Sequence, residues 1–539
     1  MSRKKTKIIF ITGGVVSSLG KGITASSIAC LMELRGFKVT NIKMDPYINV
    51  DPGTMNPYQH GEVFVTEDGA ECDLDLGHYE RFTSTVMTAN NNITTGKVYQ
   101  TVIEKERKGE YLGKTVQVIP HITDEIKRRI LLAAKDSDIA IVEVGGTVGD
   151  IESQPFLEAV RQMKVDMGPN NVCYIHVTLV PFIDTVQEMK TKPTQHSVKE
   201  LREIGILPDF IACRTRSPLP QEIKEKIALF CNVSPENVIS EVDVKYIYEV
   251  PLKLREEGLD DKIADFLNMF APAPRLDKWK KLVDRLYNPQ DTVTIGMVGK
   301  YVQVIDAYKS LFEALVHGGI ANNLKVDIRF IDSEGLTEHN YKEQLKNLDG
   351  ILIPGGFGNR GIEGKILAAK YARKNNVPYF GICLGMQIMA IEFMRNVLGL
   401  QDADSYEFNQ KTQYPIICMM DEQKKVTNMG GTMRLGGYKC ILNRKSLAYK
   451  CYQKDEIIER HRHRYEFNNE YREKFEENGI LFSGLSPDSK LVEIMELREH
   501  KFYLGCQFHP EFKSRPLDPH PLFVNFIKAS YENKKDSKK

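Results

Sequence analysis

The sequence predicts an α/β protein with two α/β domains, the first built on a parallel sheet, and two observations carry this prediction. Apolar, β-rich runs alternate with helical stretches through the first half, and the same alternation begins again after a proline-rich break. Alternation of this kind is typical of parallel sheets covered by helices. The length of 539 residues also exceeds what one hydrophobic core organises, since domains hold roughly 100–200 residues.

The predicted strands are short apolar runs that end at glycines or turns. They are Lys7–Thr12, Val39–Met44, Ile139–Val144, Cys173–Val180 and Phe210–Cys213 in the first half, and Thr292–Val298, Lys325–Ile331, Gly350–Ile353 and Pro378–Cys383 in the second. Prolines and polar residues between the two sets mark a break. We therefore predict a first domain over residues 1–270, a linker over 271–291 and a second domain over 292–539.

Composition excludes several classes of protein. Lysine and arginine total 73 and aspartate and glutamate 72, so no overall field draws the chain to nucleic acid or membrane. The first apolar run, Ile8–Ile11, is too short for a signal peptide or for a membrane span of about 20 residues. Ten cysteines without a Cys-x-x-Cys pair indicate a reducing, cytoplasmic setting.

A glycine-rich turn lies between the first predicted strand and the first predicted helix. It covers Gly13–Thr24 and contains one lysine, Lys21. Backbone N–H groups and a helix N-terminus bind phosphate, and a lysine adds positive charge, so the turn predicts a nucleoside triphosphate site of the P-loop type. Lys21 is followed by Gly22, where a standard loop has the Ser or Thr that binds Mg²⁺. A metal ion here needs carboxylates from elsewhere.

Two sets of acids are candidates for that metal. Asp73 and Asp75 share one side of the chain if Glu71–Asp75 is extended. Glu143 ends the third predicted strand, at the edge where open α/β sheets bind ligands. Carboxylate oxygens suit Mg²⁺. The alternative is a solvated acidic loop and an ordinary glutamate at a strand end.

A basic segment, Lys190–His196, follows the fourth predicted strand. Two lysines on a turn are typical of a solvated surface. The alternative is a second phosphate-bearing ligand, with Gln195 forming hydrogen bonds to a base edge.

The second half contains a cysteine at a strand-to-helix turn. Cys383 is flanked two residues away by Gly381 and Gly385, the pattern of a nucleophile elbow. Glycines permit the tight turn, and the helix N-terminus favours the thiolate. We predict that Cys383 is a nucleophile.

A nucleophile of this kind needs a base and an oxyanion hole. His509 and Glu511 lie two residues apart after another predicted strand and provide an imidazole and a carboxylate that orients it. Pro354–Gly358 and the backbone N–H of Leu384 provide donors for an oxyanion. The segment Arg460–Glu466 suggests an arginine that holds a carboxylate, or else a solvated turn.

Long motifs resemble the CTP synthase family over essentially the whole chain. They are Thr12–Gly22, Lys43–Met55, Gly145–Ser153 and Lys190–Ser197, together with the glutaminase motifs of the second half. The resemblance implies an amidoligase (synthetase) domain followed by a class I glutamine amidotransferase domain. ATP would phosphorylate O4 of UTP, ammonia from glutamine would attack C4, and CTP, ADP, phosphate and glutamate would be released.

The resemblance also implies the residues of each site. The catalytic residues are Cys383, His509 and Glu511, and the Mg²⁺ ligands are Asp75 and Glu143. ATP would be bound by Ser18, Leu19, Gly20, Lys21, Gly22, Ile23, Lys43, Asp75, Val242, Asp243 and Val244. UTP or CTP would be bound by Ser17, Asp150, Ile151, Glu152, Lys190, Thr191, Lys192, Pro193, Thr194, Gln195 and Lys226. Glutamine would be bound by Gly356, Leu384, Gly385, Met386, Gln387, Glu407 and Arg464.

The same resemblance implies partners and leaves alternatives. GTP would activate, CTP would inhibit, the chain would form a homotetramer, and no organic prosthetic group is expected. One alternative is another ATP-dependent amidoligase with a fused glutaminase, in which the acceptor substrate of the amidoligase is a carboxylate. The basic segment Lys190–His196 argues against this alternative. Another is a polymerising ATPase with an inactive second domain, against which Cys383, His509 and Glu511 argue.

Overall fold

The computed structural model of the protein describes residues 6–300, 304–419 and 432–537. The chain divides into two compact units, the first formed by residues 1–52 and 75–283 and the second by residues 53–74 and 284–539.

Each strand predicted above is confirmed, and its observed ends differ from the predicted ends by at most two residues. In chain order they are β1 (Lys7–Gly13), β2 (Val39–Asp45), β3 (Phe64–Val65), β4 (Glu71–Cys72), β5 (Asn92–Thr94), β6 (Ile139–Val144), β7 (Val172–Leu179), β8 (Phe182–Ile183), β9 (Glu188–Met189), β10 (Phe210–Thr215), β11 (Val238–Val242), β12 (Asp291–Gly299), β13 (Leu324–Asp332), β14 (Gly350–Ile353), β15 (Tyr379–Ile382), β16 (Ala403–Ser405), β17 (Tyr414–Met419), β18 (Arg434–Leu442), β19 (Glu456–His463), β20 (Tyr465–Phe467), β21 (Ile480–Leu485), β22 (Val492–Leu497) and β23 (Tyr503–Cys506).

The helices fill the connections between strands. They are α1 (Lys21–Leu34), α2 (Pro57–His60), α3 (Asp75–Phe82), α4 (Thr95–Arg107), α5 (Thr123–Ala134), α6 (Gln154–Met167), α7 (Lys192–Glu203), α8 (Gln221–Cys231), α9 (Val250–Glu256), α10 (Leu259–Phe266), α11 (Asp277–Tyr287), α12 (Lys309–Asn322), α13 (Tyr341–Leu345), α14 (Ile362–Lys374), α15 (Leu384–Asn396), α16 (Leu447–Tyr452), α17 (Arg472–Glu477) and α18 (Pro521–Ser537). Among the described residues, none of these helices has the length and apolar character needed to cross a membrane.

The first unit is built on a parallel sheet in the order β11-β10-β7-β1-β6-β2-β5. Its central strand is buried along nearly its whole length, because helices cover both faces of the sheet. Lys43 of β2 lies in register with Glu143 of β6. Glu143 also pairs with Ile11 of β1, just before the glycine-rich turn. The strand pairing therefore places Lys43, Glu143 and the start of the predicted phosphate loop together at one edge of the sheet.

The second unit contains a nine-stranded mixed sheet in the order β13-β12-β14-β15-β23-β22-β21-β18-β19. Strands from β13 to β23 pair in parallel, and those from β23 to β19 are antiparallel. Apolar side chains form a core on each face, one including Ile351 and Met386 and the other including Phe380 and Phe526. The pairing of β15 with β23 aligns the strand that precedes Cys383 with the strand that precedes His509.

The hairpin of β3 and β4 belongs to the second unit, although the sequence analysis assigned it to residues 1–270. Arg460 of β19 is 1% exposed, and its Nε lies 3.0 Å from Glu67 Oε2. Arg462 Nε lies 2.8 Å from Glu71 Oε1. A buried guanidinium needs an anionic partner, and the hairpin carries these partners.

The segment predicted as a linker, residues 271–291, contains helix α11. Trp279 on this helix is 2% exposed and donates its indole N–H to the Tyr248 carbonyl over 2.6 Å. Its ring also packs against Phe82. The sequence predicted a linker here, but the apolar face of the helix, with Trp279 and Leu282, is buried.

Candidate functional site

The glycine-rich turn exposes backbone between β1 and α1. Val15 and Ser18 have left-handed φ values of 87° and 58°, and Gly20, which caps α1, has a φ of 100°. A Cβ on Gly14 would stand 1.5 Å from Ser197 Oγ, so only glycine fits there. Residues 15–18 are exposed, as a loop that wraps phosphate requires.

Lys21 lies at the first position of α1, beside the sheet edge. Its Nζ donates to the Gly146 carbonyl over 2.7 Å. Burial lowers the pKa of Lys21, and the charge of Glu143 opposes that effect. A half-buried lysine at a helix N-terminus presents positive charge to an incoming anion.

Lys43 is surrounded by three carboxylates. It forms a close ion pair with Asp75, and its Nζ lies 3.1 Å from Glu143 Oε1 and 3.7 Å from Asp45 Oδ1. Burial raises the pKa of Glu143 and raises the pKa of Asp45 to about 6, even though Lys43 lowers both. The site therefore carries more negative charge than one lysine balances.

Gly22 explains the departure from a standard loop. A Cβ on Gly22 would lie 2.7 Å from Asp75 Oδ1 and 3.3 Å from Glu143 Oε2. These carboxylates occupy the space that a Ser or Thr side chain would need. The described residues contain no group of three or more acids, histidines or cysteines arranged around a metal position. Mg²⁺ in proteins is commonly bound by one or two carboxylates together with substrate phosphates and water.

The expectation that Asp73 and Asp75 share one side of an extended segment is wrong. The strand ends at Cys72, and Asp75 begins helix α3. Asp73 lies 3.7 Å from His60 in the hairpin segment of the second unit. The chain turns into a helix between the two acids, and Asp75 at the start of that helix faces Gly22 of the phosphate loop.

The segment expected to hold adenine follows β11. Val242 ends that strand, and Asp243 and Val244 follow it. Asp243 Oδ1 accepts a hydrogen bond from Arg214 Nε over 2.6 Å. A Cβ on Gly20 would lie 3.0 Å from Arg214 NH1, so this arginine connects the loop to the predicted adenine segment. Arg214 was missed by sequence analysis, and its position at the end of β10 was the available signal.

The basic segment is the start of a helix and not a turn. Helix α7 begins at Lys192, with Pro193 in its first turn, where proline is well tolerated. Lys190 Nζ lies 2.5 Å from Glu188 Oε2, and the charge of Lys226 also acts on Glu188. The structure therefore brings Lys190 and Lys226 near one acid.

The remaining residues predicted to bind UTP or CTP lie in two groups. Asp150 Oδ2 accepts the backbone N–H of Thr147 over 2.7 Å, and Ile151 beside it is exposed. In the second group, Gln195 Nε2 donates to Thr191 Oγ1 over 3.0 Å. Within the part of the chain that the structure describes, no hydrogen bond or ion pair joins the two groups.

In the second unit, Cys383 caps helix α15 with φ 49° and ψ −101°. A Cβ on Gly381 would approach the Gly385 backbone to 2.6 Å, and one on Gly385 would approach the Ile353 carbonyl to 2.2 Å. Both flanking glycines are therefore required by packing. The strained turn places the sulfur at the end of β15, where Gln507 Nε2 lies 3.5 Å from it.

His509 follows β23 and is oriented by Glu511. The distance from His509 Nδ1 to Glu511 Oε1 is 2.7 Å. Burial lowers the pKa of His509, but the charges of Glu511 and Cys383 outweigh burial and raise that pKa to about 10. His509 Nε2 is buried and has no hydrogen-bond partner among the described residues. This nitrogen is available for proton transfer.

The predicted oxyanion segment lies against the histidine. A Cβ on Gly355 would stand 2.6 Å from His509 Cε1 and 3.5 Å from Cys383 Cβ. The Gly358 N–H donates to Glu407 Oε1 over 2.6 Å, and Lys300 Nζ donates to the Phe357 carbonyl. These contacts fix the turn and bring Glu407 beside it. A Cβ on Gly356 in the same turn would lie 3.5 Å from Leu384 Cδ2.

The alternative of a solvated turn for Arg460–Glu466 is wrong, because most of the segment is strand β19. His509 N–H donates to the Arg460 carbonyl over 2.7 Å, and Cys383 Sγ lies 3.9 Å from the Arg462 carbonyl. Arg464 donates to Thr432 Oγ1 over 3.0 Å. The backbone of β19 thus supports both the predicted nucleophile and the predicted base.

A cavity of about 280 Å³ lies within the second unit, beside the histidine. The cavity is lined by His509, Glu511 and Arg462 and by Pro354–Phe357. Residues of the segment 53–74, which contains the hairpin, complete the lining and include Met55 and Val63. Sequence analysis did not connect the hairpin with the glutaminase motifs.

Comparison with known proteins gives matches for both halves of the chain. Residues 7–269 match the family model described as CTP synthase N-terminus, and residues 303–529 match glutamine amidotransferase class-I. A solved structure described as the Trypanosoma brucei CTPS glutaminase domain with bound acivicin is 40% identical. It covers 44% of this chain and 94% of that chain, with a TM-score of 0.42.

Full-length relatives match more closely. A CTP synthase of Hydrogenobaculum sp. is 60% identical over 99% of this chain and 100% of its own length. A CTP synthase of Aquifex aeolicus is 61% identical over 98% of this chain and 99% of its own length. The chain therefore belongs to the CTP synthase family.

Proposed function

We propose that this chain converts UTP to CTP with ATP and with ammonia released from glutamine. One observation carries the proposal. A single chain of this family contains both a phosphate loop beside the acids around Lys43 and a group of Cys383, His509 and Glu511. One set of residues suits phosphoryl transfer and the other suits amide hydrolysis.

In the first unit, the segment Ser18–Ile23 binds the phosphates of ATP, and Lys21 and Lys43 supply positive charge. Asp75 and Glu143 would hold Mg²⁺, which would neutralise charge on the phosphates. Transfer of the γ-phosphoryl group to O4 of UTP makes that oxygen a leaving group. Ammonia then attacks C4, and phosphate departs with O4.

In the second unit, the Cys383 thiolate attacks the amide carbon of glutamine to form a glutamyl thioester. Backbone N–H groups at Gly356 and Leu384 stabilise the oxyanion, while Glu407 and Arg464 hold the charged end of the substrate. His509 protonates the leaving nitrogen and then takes a proton from the water that releases glutamate. The raised pKa of His509 favours its imidazolium form, which has the proton that the leaving nitrogen needs.

The cavity beside His509 is the first space that the released ammonia enters. An enclosed space matters because ammonia that reaches water at neutral pH is mostly protonated and unreactive. Arg462 and Glu71 are paired at this cavity, so they help to keep bulk solvent from it.

Lys190–Gln195, Lys226 and Asp150–Glu152 bind UTP, and CTP competes for the same phosphate contacts. GTP activates the reaction, and the active form is a homotetramer in the cytoplasm. The two-domain division at residues 271–291 is part of the same proposal.

The direct test is formation of CTP from UTP, ATP and Mg²⁺, measured once with glutamine and once with ammonium. The proposal requires CTP in both assays. Hydrolysis of glutamine without CTP in either assay would favour a different acceptor, such as a carboxylate.

A further inference from the structure

A buried carboxyl group lies directly behind the phosphate loop, outside the residues assigned to ATP. Glu241 on β11 is 2% exposed, and both of its oxygens lie 2.9 Å from Thr24 Oγ1 in the first turn of α1. Thr24 Oγ1 is also 3.0 Å from the Gly20 carbonyl oxygen. The Gly20 carbonyl ends the phosphate loop and accepts the Thr24 N–H over 2.9 Å.

A hydroxyl group has one hydrogen to donate, and here three oxygens surround it. If Glu241 is ionised, it competes with Gly20 for that single hydrogen. If Glu241 is protonated, it donates to Thr24 Oγ1, and Thr24 donates to Gly20. Only the protonated form of Glu241 allows Thr24 Oγ1 to accept from Glu241 and to donate to Gly20 at the same time.

The carbonyl of Gly20 and the N–H of Lys21 belong to one planar peptide group. A hydrogen bond to this carbonyl therefore fixes the direction of the Lys21 N–H. That N–H is the first donor of α1, and donors at a helix N-terminus bind phosphate. Gly20, with a φ of 100°, provides little resistance of its own to rotation of this peptide.

We propose that Glu241 is a positioning residue for ATP, acting through Thr24 on the Gly20–Lys21 peptide, and that its protonated form is the one that binds ATP tightly. The proposal rests on the phosphate-loop function proposed above. It adds a contact between Glu241 and Thr24 that depends on a proton and lies on the side of the loop away from the nucleotide.

The surroundings of Glu241 support this assignment. Burial raises the pKa of Glu241 to about 7, with Asp243 adding to the rise, while Thr24 and Arg214 lower it. Arg214 on the neighbouring β10 is itself bonded to Asp243, which reduces its effect. On the helical side, Lys224 of α8 pairs with Glu257 over 2.6 Å. The carboxyl therefore changes its charge near neutral pH.

The test is calorimetric binding of AMP-PNP with Mg²⁺ to the full chain between pH 6 and pH 8.5, in buffers of different ionisation enthalpy. We expect the wild-type dissociation constant to rise about 3- to 10-fold with pH, the effect of one hydrogen bond. Binding near pH 7 should take up protons beyond those of the nucleotide itself.

Glu241→Gln keeps a donor to Thr24 but cannot lose a proton. We expect this variant to bind at every pH as the wild type binds at pH 6, without the extra proton uptake. Thr24→Val should bind at every pH as the wild type binds at pH 8.5, and adding Glu241→Gln to it should change nothing further. Glu80→Gln, a buried glutamate that accepts the Met87 N–H, is the matched control and should retain the wild-type profile.

A wild-type pH profile and wild-type proton uptake in Glu241→Gln would overturn the proposal, even if Thr24→Val failed to fold. Lys21→Ala separates this failure from failure of the phosphate-loop function. Normal AMP-PNP binding by Lys21→Ala would refute the loop assignment itself. If Lys21→Ala lost AMP-PNP binding and the pH profile of Glu241→Gln equalled that of the wild type, only the role of Glu241 would be refuted.

Discussion

The two candidate sites differ in how their side chains are paired within the protein. In the second unit, His509 is bonded to Glu511, and backbone carbonyls of β19 support the turn of Cys383 and the His509 N–H. In the first unit, Lys43 lies among three carboxylates whose combined charge it does not balance. The predicted glutaminase residues are held by hydrogen bonds within the protein, whereas the predicted synthetase residues bring three acids around Lys43.

This difference reflects the chemistry of each step. Thioester formation uses groups that belong to the protein, so the fold can assemble them in advance. Phosphoryl transfer depends on positioning and on charge supplied partly by metal and nucleotide. Mutations in the second unit should therefore remove one nitrogen source, and mutations in the first should affect CTP formation from both.

The largest expected effect is that of Cys383→Ala. Glutamine-dependent CTP formation should fall by about 10⁴-fold or more, because no thioester can form. Ammonium-dependent formation should stay near wild type. The two rates are measured side by side, with Cys418→Ala, a partly buried cysteine of β17, as the control. Survival of glutamine-dependent activity would show that Cys383 is not the nucleophile.

Lys21→Ala should reduce CTP formation by about 10³-fold with either nitrogen donor, because the loop has one lysine to stabilise phosphate charge. Steady-state rates with glutamine and with ammonium give the measurement. Lys199→Ala, an exposed lysine of α7, should have no effect. A variant that lost only one of the two activities would contradict the proposal that the phosphate loop serves CTP formation with both nitrogen donors.

Glu511→Gln should lower glutamine-dependent activity by about 10²-fold and leave ammonium-dependent activity unchanged. The Glu511 carboxylate stabilises the imidazolium, so its loss should lower the pKa of His509 from about 10. The alkaline limb of glutaminase kcat/KM should therefore move to lower pH. Glu499→Gln, an exposed acid, is the control, and an unmoved limb would exclude His509 as the titrating group.

Asp75→Asn should reduce CTP formation by roughly 30-fold with both donors, since it removes one charged metal ligand of several. A titration with Mg²⁺ should recover part of the activity. Asp136→Asn, an exposed aspartate, should need no extra metal. Loss of activity that no Mg²⁺ concentration relieves would indicate that Asp75 acts mainly through its ion pair with Lys43.

The smallest effect is expected for Lys190→Ala. The KM for UTP and the inhibition constant of CTP should both rise about tenfold, because the two nucleotides share their phosphate contacts. The KM for ATP should change little. Lys135→Ala on the surface should leave all three constants unchanged. Weakened ATP binding with normal UTP binding would reverse the assignment of the two nucleotide sites.

Local patterns determined much of the architecture and the candidate chemistry. Apolar runs predicted the strands that carry the sites, since burial on both faces of a parallel sheet requires such runs. The glycines around Cys383 and before Lys21 predicted two strand-to-helix turns, because few other residues fit so close to neighbouring backbone. His509 and Glu511, which are two positions apart, were correctly expected to meet.

Only the tertiary structure decided which distant residues meet. The hairpin that contains Glu67 and Glu71 contacts β19 across almost 400 positions of the chain, and no local pattern records such a contact. The same holds for Glu241 behind Thr24 and for the acids around Lys43. Charged residues in a sequence resemble solvated surface residues until the fold buries them. Burial then requires each charge to find a partner, and the partner is determined by packing of the whole chain.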